Sequence, residues 1–158
     1  MSDTTTTLLL LRRGDEILLA MKKRGWGMGR WNGVGGKLEA GETIEQALVR
    51  ECQEEIGVTP LTFAKVAQHD FVMNSGSNDM WHMHVHTYIS DHWEGEPIET
   101  EEMAPQWFAI ADIPYDAMWQ DDRHWLPHVL NGKLLSTVFA LDKDQNMLSQ
   151  EINEVPTL

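Results

Sequence analysis

The chain has 158 residues, 42% apolar and 23% charged, which suits one globular domain spanning 1–158 and excludes a disordered chain. A net charge of -13 argues against a nucleic-acid polymer or an anionic membrane as partner, while leaving room for a small anion bridged by a cation. Cys52 is the single cysteine, no apolar run approaches the roughly 20 residues of a membrane span, and residues 1–10 lack the basic start of a signal peptide, so a reducing, cytoplasmic setting is expected.

Residues 4–11 (TTTTLLLL) pass from β-branched to apolar and predict a strand. Glu16–Met21 predicts a second, joined through the turn Arg13-Gly14-Asp15. The segment 22–37 (KKRGWGMGRWNGVGGK) reads as a glycine-rich loop. A helix is expected over 43–56, with Glu42 and Glu45 near the positive end of its dipole and Gly57 as its stop. Strands follow at Leu61–Met73 and Trp81–Ile89, with a turn over Asn74–Asp79 between them. In WHMHVHTYI, Met83 and Val85 share one face and His82, His84 and His86 the other. A solvated strand face is the expected reading of those histidines, with a zinc site as the alternative. A short strand at Trp107–Ile110, a turn or short helix from Pro114 to Trp119, a helix over Asp121–Leu130 and a closing hairpin of Leu134–Leu141 and Met147–Ile152 complete the chain. Strands before, between and after two helices imply an α/β fold, with a mixed sheet and helices on its faces.

The helix at 43–56 holds the main anomaly. Ile44, Ala47, Leu48, Cys52 and Ile56 form its apolar stripe. At about 100° per residue, Glu51 and Glu55 fall near the same line, and Glu54 lies on the flank. Glu51 and Glu55 are also like charges four residues apart, an unfavourable pair. A bound divalent cation is the simplest remedy, so the three glutamates are a candidate metal site.

Residues 36–58, GKLEAGETIEQALVRECQEEIGV, resemble the Nudix box in spacing: Gly36, Glu42, Arg50, Glu51, Cys52, Glu54, Glu55, Gly57 and Val58. Cys52 stands where an aliphatic residue is usual. The flanking segments MKKRGWGMGRWNGVGGK, EEMAPQWF and IPYDAMWQDDRHWLP are similar to the oxidised-purine nucleoside triphosphatases of animals, the MutT homologues. The resemblance implies the Nudix fold, a mixed β-sheet sandwiched between helices. It also implies hydrolysis of a modified purine nucleoside triphosphate (of the 8-oxo-dGTP or 2-hydroxy-dATP type) to the monophosphate and pyrophosphate. An acidic protein acting on so anionic a substrate needs a cation; Mg²⁺ suits oxygen ligands, and Mn²⁺ could replace it.

By the same resemblance, the Gly35 carbonyl and the carboxylates of Glu51, Glu54, Glu55 and Glu102 are metal ligands. Glu51 or Glu102 is the expected base, and Arg50 holds a neighbouring glutamate or the loop. Lys22 reaches the sugar or phosphates, and Gly36, Lys37 and Gln120 join the substrate contacts. Lys23, Arg24 and Arg30 are expected at the surface or in structural pairs.

Recognition of the base centres on Asp121 and Asp122. Two adjacent carboxylates in a partly buried pocket cannot both ionise cheaply, so one would keep a proton and donate while the other accepts. The resemblance gives them the purine edge, with Asn32 as an amide partner and Trp119 stacked on the base; capping of the helix is the plainer alternative. Thr7, Trp26, Phe71, Met83, Met103 and Trp125 match pocket-lining positions. Trp26 replaces a smaller aromatic, Leu141 stands where an aromatic is expected, and Trp81 or Met80 takes a position of unclear alignment. The competing readings are a Nudix hydrolase of methylated purine triphosphates or of a dinucleotide, an isomerase on a related fold, and a non-catalytic nucleotide-binding module. A monomer is expected.

Overall fold

The run Leu8–Leu11 is apolar on both faces, so its strand must lie inside a sheet covered on two sides. The computed structural model, which describes residues 2–74 and 80–158, places it there. Strand β1 (Ser2–Arg13) sends Leu9 and Leu11 into one core and Leu10 into the other. It turns at Gly14, with φ 59°, into β2 (Glu16–Lys22), whose Ile17 and Leu19 join the Leu10 core and whose Leu18 and Ala20 join the Leu9 core.

Among the described residues the sheet has eight strands. The others are β3 (Trp31–Asn32), β4 (Thr59–Asn74), β5 (Met80–Glu94), β6 (Met103–Ala109), β7 (Leu135–Leu141) and β8 (Met147–Glu154). Their order is β3-β2-β1-β5-β4-β7-β8, with β6 also paired to β2. The β1–β5 and β4–β7 pairs are parallel and the rest antiparallel, so the sheet is mixed as expected. Helix α1 (Ile44–Ile56) packs Leu48, Cys52 and Ile56 on the Leu9 core, and α2 (Asp122–Leu130) packs Trp125, Leu126 and Val129 on the Leu10 core. Neither helix is long and apolar enough to cross a membrane.

Helix α1 begins with a capping box: Thr43 Oγ1 accepts from the Gln46 N–H at 3.1 Å, and the Thr43 N–H donates to Gln46 Oε1 at 2.9 Å. It ends at Gly57, which is left-handed with φ 71°. Several boundaries differ from the sequence reading. The loop 22–37 contains the two-residue strand β3, too short to show alternation. Strand β6 starts four residues earlier than expected, and Ile110 opens a 3₁₀ turn instead of ending the strand. The expected turn at 74–79 lies, beyond Asn74, outside the described residues. Asp121 precedes α2 but makes no side-chain cap; its carboxylate is engaged elsewhere, so the capping alternative falls for that residue.

Candidate active site

The glycine-rich segment runs along β1 and forms one wall of a cleft. Leu9 and Val34 exchange N–H···O bonds of 2.6 and 3.0 Å, and the Thr7 N–H donates to the Gly36 carbonyl at 2.9 Å. A Cβ on Gly35 would collide with the Thr7 carbonyl, and one on Gly36 would lie 2.6 Å from the Glu51 carboxyl carbon. Glycine at these positions therefore lets α1 bring its carboxylates against the loop backbone.

Arg50 organises that meeting. Its Nε and Nη2 donate to the two Glu42 oxygens at 2.7 and 2.9 Å, and Nη1 donates to Glu51 Oε1 at 2.8 Å and Glu54 Oε2 at 3.2 Å. Nη2 also donates to the Lys37 carbonyl at 3.1 Å. One planar guanidinium thus ties loop, helix entry and carboxylate face together. Its hydrogen bonds hold the Glu42 carboxyl down at about 2, and Glu42 in return raises the Arg50 pKa.

Glu55 has no such partner. It is 4% exposed and packed under the loop, and it accepts a long 3.4 Å hydrogen bond from the Gly35 N–H. Burial first, then the negative charge of Glu51, pushes its carboxyl up to about 8, and Glu102 adds to the repulsion. Glu54 and Glu102 are half-exposed, and Glu102 Oε1 accepts from Arg24 Nη2 at 3.4 Å. The four carboxylates do not converge on one point, because Arg50 and Arg24 hold three of them. The donors here are all oxygen, and one of them is buried and repelled by its neighbours. That set fits a hard divalent cation, with Glu51, Glu54, Glu55, Glu102 and the Gly35 carbonyl as the groups able to hold it.

From this face a cleft of about 830 Å³ runs between the loop and α2. Gly35, Gly36, Lys37 and Glu55 line it beside the α1 carboxylates, and Asp121, Asp122 and Trp125 where α2 begins; Thr7, Lys22, Trp26, Asn32, Phe71, Met83, Met103 and Trp119 complete the lining. Gln120 turns away: its side-chain carbonyl accepts from the Met147 N–H at 3.2 Å and braces β8, so the sequence reading of Gln120 as a substrate contact is corrected. Arg30 is exposed, as expected of a surface or structural cation. It lines the cleft, its guanidinium 4.1 Å from the Trp119 ring, while Trp26 stacks on Trp119 with centroids 4.5 Å apart.

The two aspartates are buried, at 8% and 3% exposure. Asp121 Oδ2 accepts from Trp125 Nε1 at 2.9 Å, whereas Asp122 Oδ2 has no hydrogen-bond partner among the described residues. Burial raises both carboxyls, and the Asp121 charge drives Asp122 further, so Asp122 is the member that keeps its proton. Thr7 Oγ1 and His69 Nε2 are likewise buried and unpartnered, and both residues line the cleft. Burial pushes His69 down to about 3, so it is neutral; its Nδ1 sits 2.7 Å from Thr137 Oγ1. Sequence reasoning missed His69 and the hairpin residues Asp142, Lys143 and Gln145, which reach the cleft only because β7 pairs with β4. No local pattern marks the hairpin residues, whereas strand alternation with Phe71 would have found His69.

Residues 1–129 match the NUDIX domain family. The oxidized purine nucleoside triphosphate hydrolase of Danio rerio is 44% identical over 142 residues, covering 90% of this chain and 89% of that protein. The Mus musculus protein of the same name is 44% identical over 88% of this chain and 87% of its own length. The crystal structure of a MutT protein from Bacillus halodurans superposes with a TM-score of 0.83 at 27% identity, covering 95% and 97% of the two chains. The Gly36–Val58 stretch, its buried carboxylate and these similarities agree: the chain belongs to the Nudix hydrolase family.

Proposed function

We propose that the protein hydrolyses oxidised purine nucleoside triphosphates, of the 8-oxo-dGTP and 2-hydroxy-dATP type, and thereby clears them from the nucleotide pool. Water adds to phosphorus, the α–β anhydride bond breaks, and the products are the nucleoside monophosphate and pyrophosphate. One observation carries the choice of substrate class. Thr7 Oγ1, His69 Nε2 and Asp122 Oδ2 are buried polar atoms without a partner among the described residues, and all three residues line an aromatic cleft beside Asp121. Such groups suit a flat heterocycle whose edge both donates and accepts. In that role protonated Asp122 donates, ionised Asp121 accepts, Asn32 adds an amide, and Trp119 offers its indole. Exchange of the proton between the two aspartates would let one pocket take oxidised guanine and oxidised adenine.

Lys22, Arg30, Lys37 and Lys143 line the cleft, four of the twelve cations of a protein of net charge -13. They draw a polyanion to the cleft mouth. A Mg²⁺ ion, or Mn²⁺ in its place, would be held by Glu51, Glu54, Glu55, Glu102 and the Gly35 carbonyl, and would neutralise phosphate, polarise phosphorus and acidify water. Glu51 or Glu102 takes the proton from that water, and Arg50 holds Glu51 in place for it. Residues 1–158 act as one unit, a cytoplasmic monomer in this reading.

A hydrolysis panel of dGTP, 8-oxo-dGTP, 2-hydroxy-dATP, methylated purine triphosphates and ADP-ribose tests it. The oxidised purines should exceed dGTP in kcat/KM by about tenfold or more, with pyrophosphate as product. Preference for ADP-ribose or a methylated purine would reassign the substrate.

A further inference from the structure

On β5, Trp81, Met83 and Val85 line the substrate cleft, so His82 and His84 project from the opposite face of that strand. The parallel register with β1 sets Asp3 opposite His82, and the antiparallel register with β4 sets Asp70 opposite His84. Asp3 Oδ1 lies 3.9 Å from His82 Nδ1 and 3.7 Å from His84 Nε2. One ligand atom from each of Asp3, His82 and His84 falls within 4.8 Å of the other two. His84 Nδ1 is 2.5 Å from Asp70 Oδ1. An ionised carboxylate only accepts, so Nδ1 carries the proton and the Nε2 lone pair is left facing Asp3. A carboxylate behind one ring nitrogen, with the other nitrogen free, is how metal-binding histidines are oriented.

We propose that Asp3, His82 and His84 form a site for a zinc-type divalent cation, with Asp70 as the positioning residue for His84. Two imidazoles and one carboxylate prefer zinc, copper or nickel ions to magnesium, so the site is chemically distinct from the oxygen-only cluster on α1. Tetrahedral bonds of about 2.0–2.1 Å imply ligand atoms about 3.4 Å apart. The 3.7 and 3.9 Å separations from Asp3, with the two imidazole nitrogens within 4.8 Å of each other, close on rotation of half-exposed or exposed side chains. His86 stays outside, half-buried beside the repelling charge of Lys65. A bound ion would pin the start of β1 to β5 without entering the substrate cleft.

The full chain is titrated with Zn²⁺ in saturating Mg²⁺, which occupies the oxygen donors of α1. Binding is read by calorimetry and by imidazole ¹⁵N shifts. One equivalent should bind with shifts confined to His82 and His84. Asp3→Asn, His82→Asn and His84→Asn should each weaken zinc binding at least about tenfold. Asp70→Asn should weaken it about tenfold and mix the His84 tautomers in the ¹⁵N spectrum. Melting temperature without zinc and Mg²⁺-dependent hydrolysis report whether each variant is folded. Unchanged zinc affinity in the His82→Asn/His84→Asn double variant overturns the site, and so does zinc binding lost only with Glu54→Gln. If the double variant does not fold, wild-type protein decides: zinc uptake with unmoved His82 and His84 resonances is equally fatal.

Discussion

The two ends of the cleft treat carboxylates in opposite ways. On α1, Arg50 meets Glu42, Glu51 and Glu54, and Glu42 is held down at about 2. Near α2, Asp121 and Asp122 make no salt bridge among the described residues; a tryptophan N–H serves one, and burial raises both. The first arrangement keeps negative charge available for a metal and phosphates. The second stores a proton, and with it a hydrogen-bond donor that an ionised acid lacks. Glu55 is the exception on α1: it is buried like the aspartates and sits among the box glutamates, so it depends most on a cation.

The largest break in this contrast should come from Glu55→Gln. Glutamine keeps the shape and can still accept from the Gly35 N–H, but removes the buried charge. Losing several kcal/mol of cation-dependent stabilisation corresponds to a fall in kcat on the order of a thousandfold. The melting temperature measured without metal should not fall, because Glu55, pushed up to about 8, is already mostly protonated at pH 7 and glutamine resembles that neutral form. Full Mg²⁺-dependent pyrophosphate release by this variant would remove Glu55 from the metal site.

The two ends also differ in how far they can be read from the chain itself. Thr43, Gln46, Arg50, the glutamates and Gly57 all fall within one helix and its caps, so local spacing locates them. The aspartates are visible as a pair, yet the engagement of Asp121 by Trp125 depends on a buried fold position. Asp142, Lys143 and Gln145 arrive through the parallel β4–β7 pairing, which leaves no periodic trace in their segment, whereas His69 shares the strand face of Phe71 two residues on. Arg30 and Gln120 show the limit from the other side. Each sits beside a recognisable motif, and only packing decides that one faces the cleft and the other braces Met147. Only the first residues of β6, 103–106, escape the sequence pattern, because Pro105 reads against a strand but is tolerated here opposite Ala20.

A smaller effect, specific to the second end, is expected from Asp121→Asn. It turns one of the two Asp121 oxygens into a donor, so the side chain can no longer both accept from Trp125 Nε1 and offer an acceptor opposite protonated Asp122; metal affinity should be unchanged. An unsatisfied buried polar contact costs about 1–3 kcal/mol, so the 8-oxo-dGTP to dGTP preference should change by roughly tenfold or more. Measured kcat/KM ratios that match wild type would rule out proton sharing as the basis of selectivity.

The smallest effects lie in stability, and there the two ends should have opposite signs. Glu42 is lowered from 4.5 to about 2, so its contribution is present above 4.5 and is lost as pH falls towards 2. Asp122 is raised well above 3.8, so its contribution is complete below 3.8 and is lost as pH rises through the folded-state value. Glu42→Gln should therefore lower the melting temperature at pH 7, with the difference from wild type shrinking in acid. Asp122→Asn should raise it at pH 7 by roughly a few degrees, the difference again closing towards pH 4. Thermal melts of the three proteins from pH 3 to pH 8 check both signs. If Asp122→Asn destabilises the protein at pH 7, burial does not hold a proton on this carboxyl, and the donor assigned to the purine edge is lost with it.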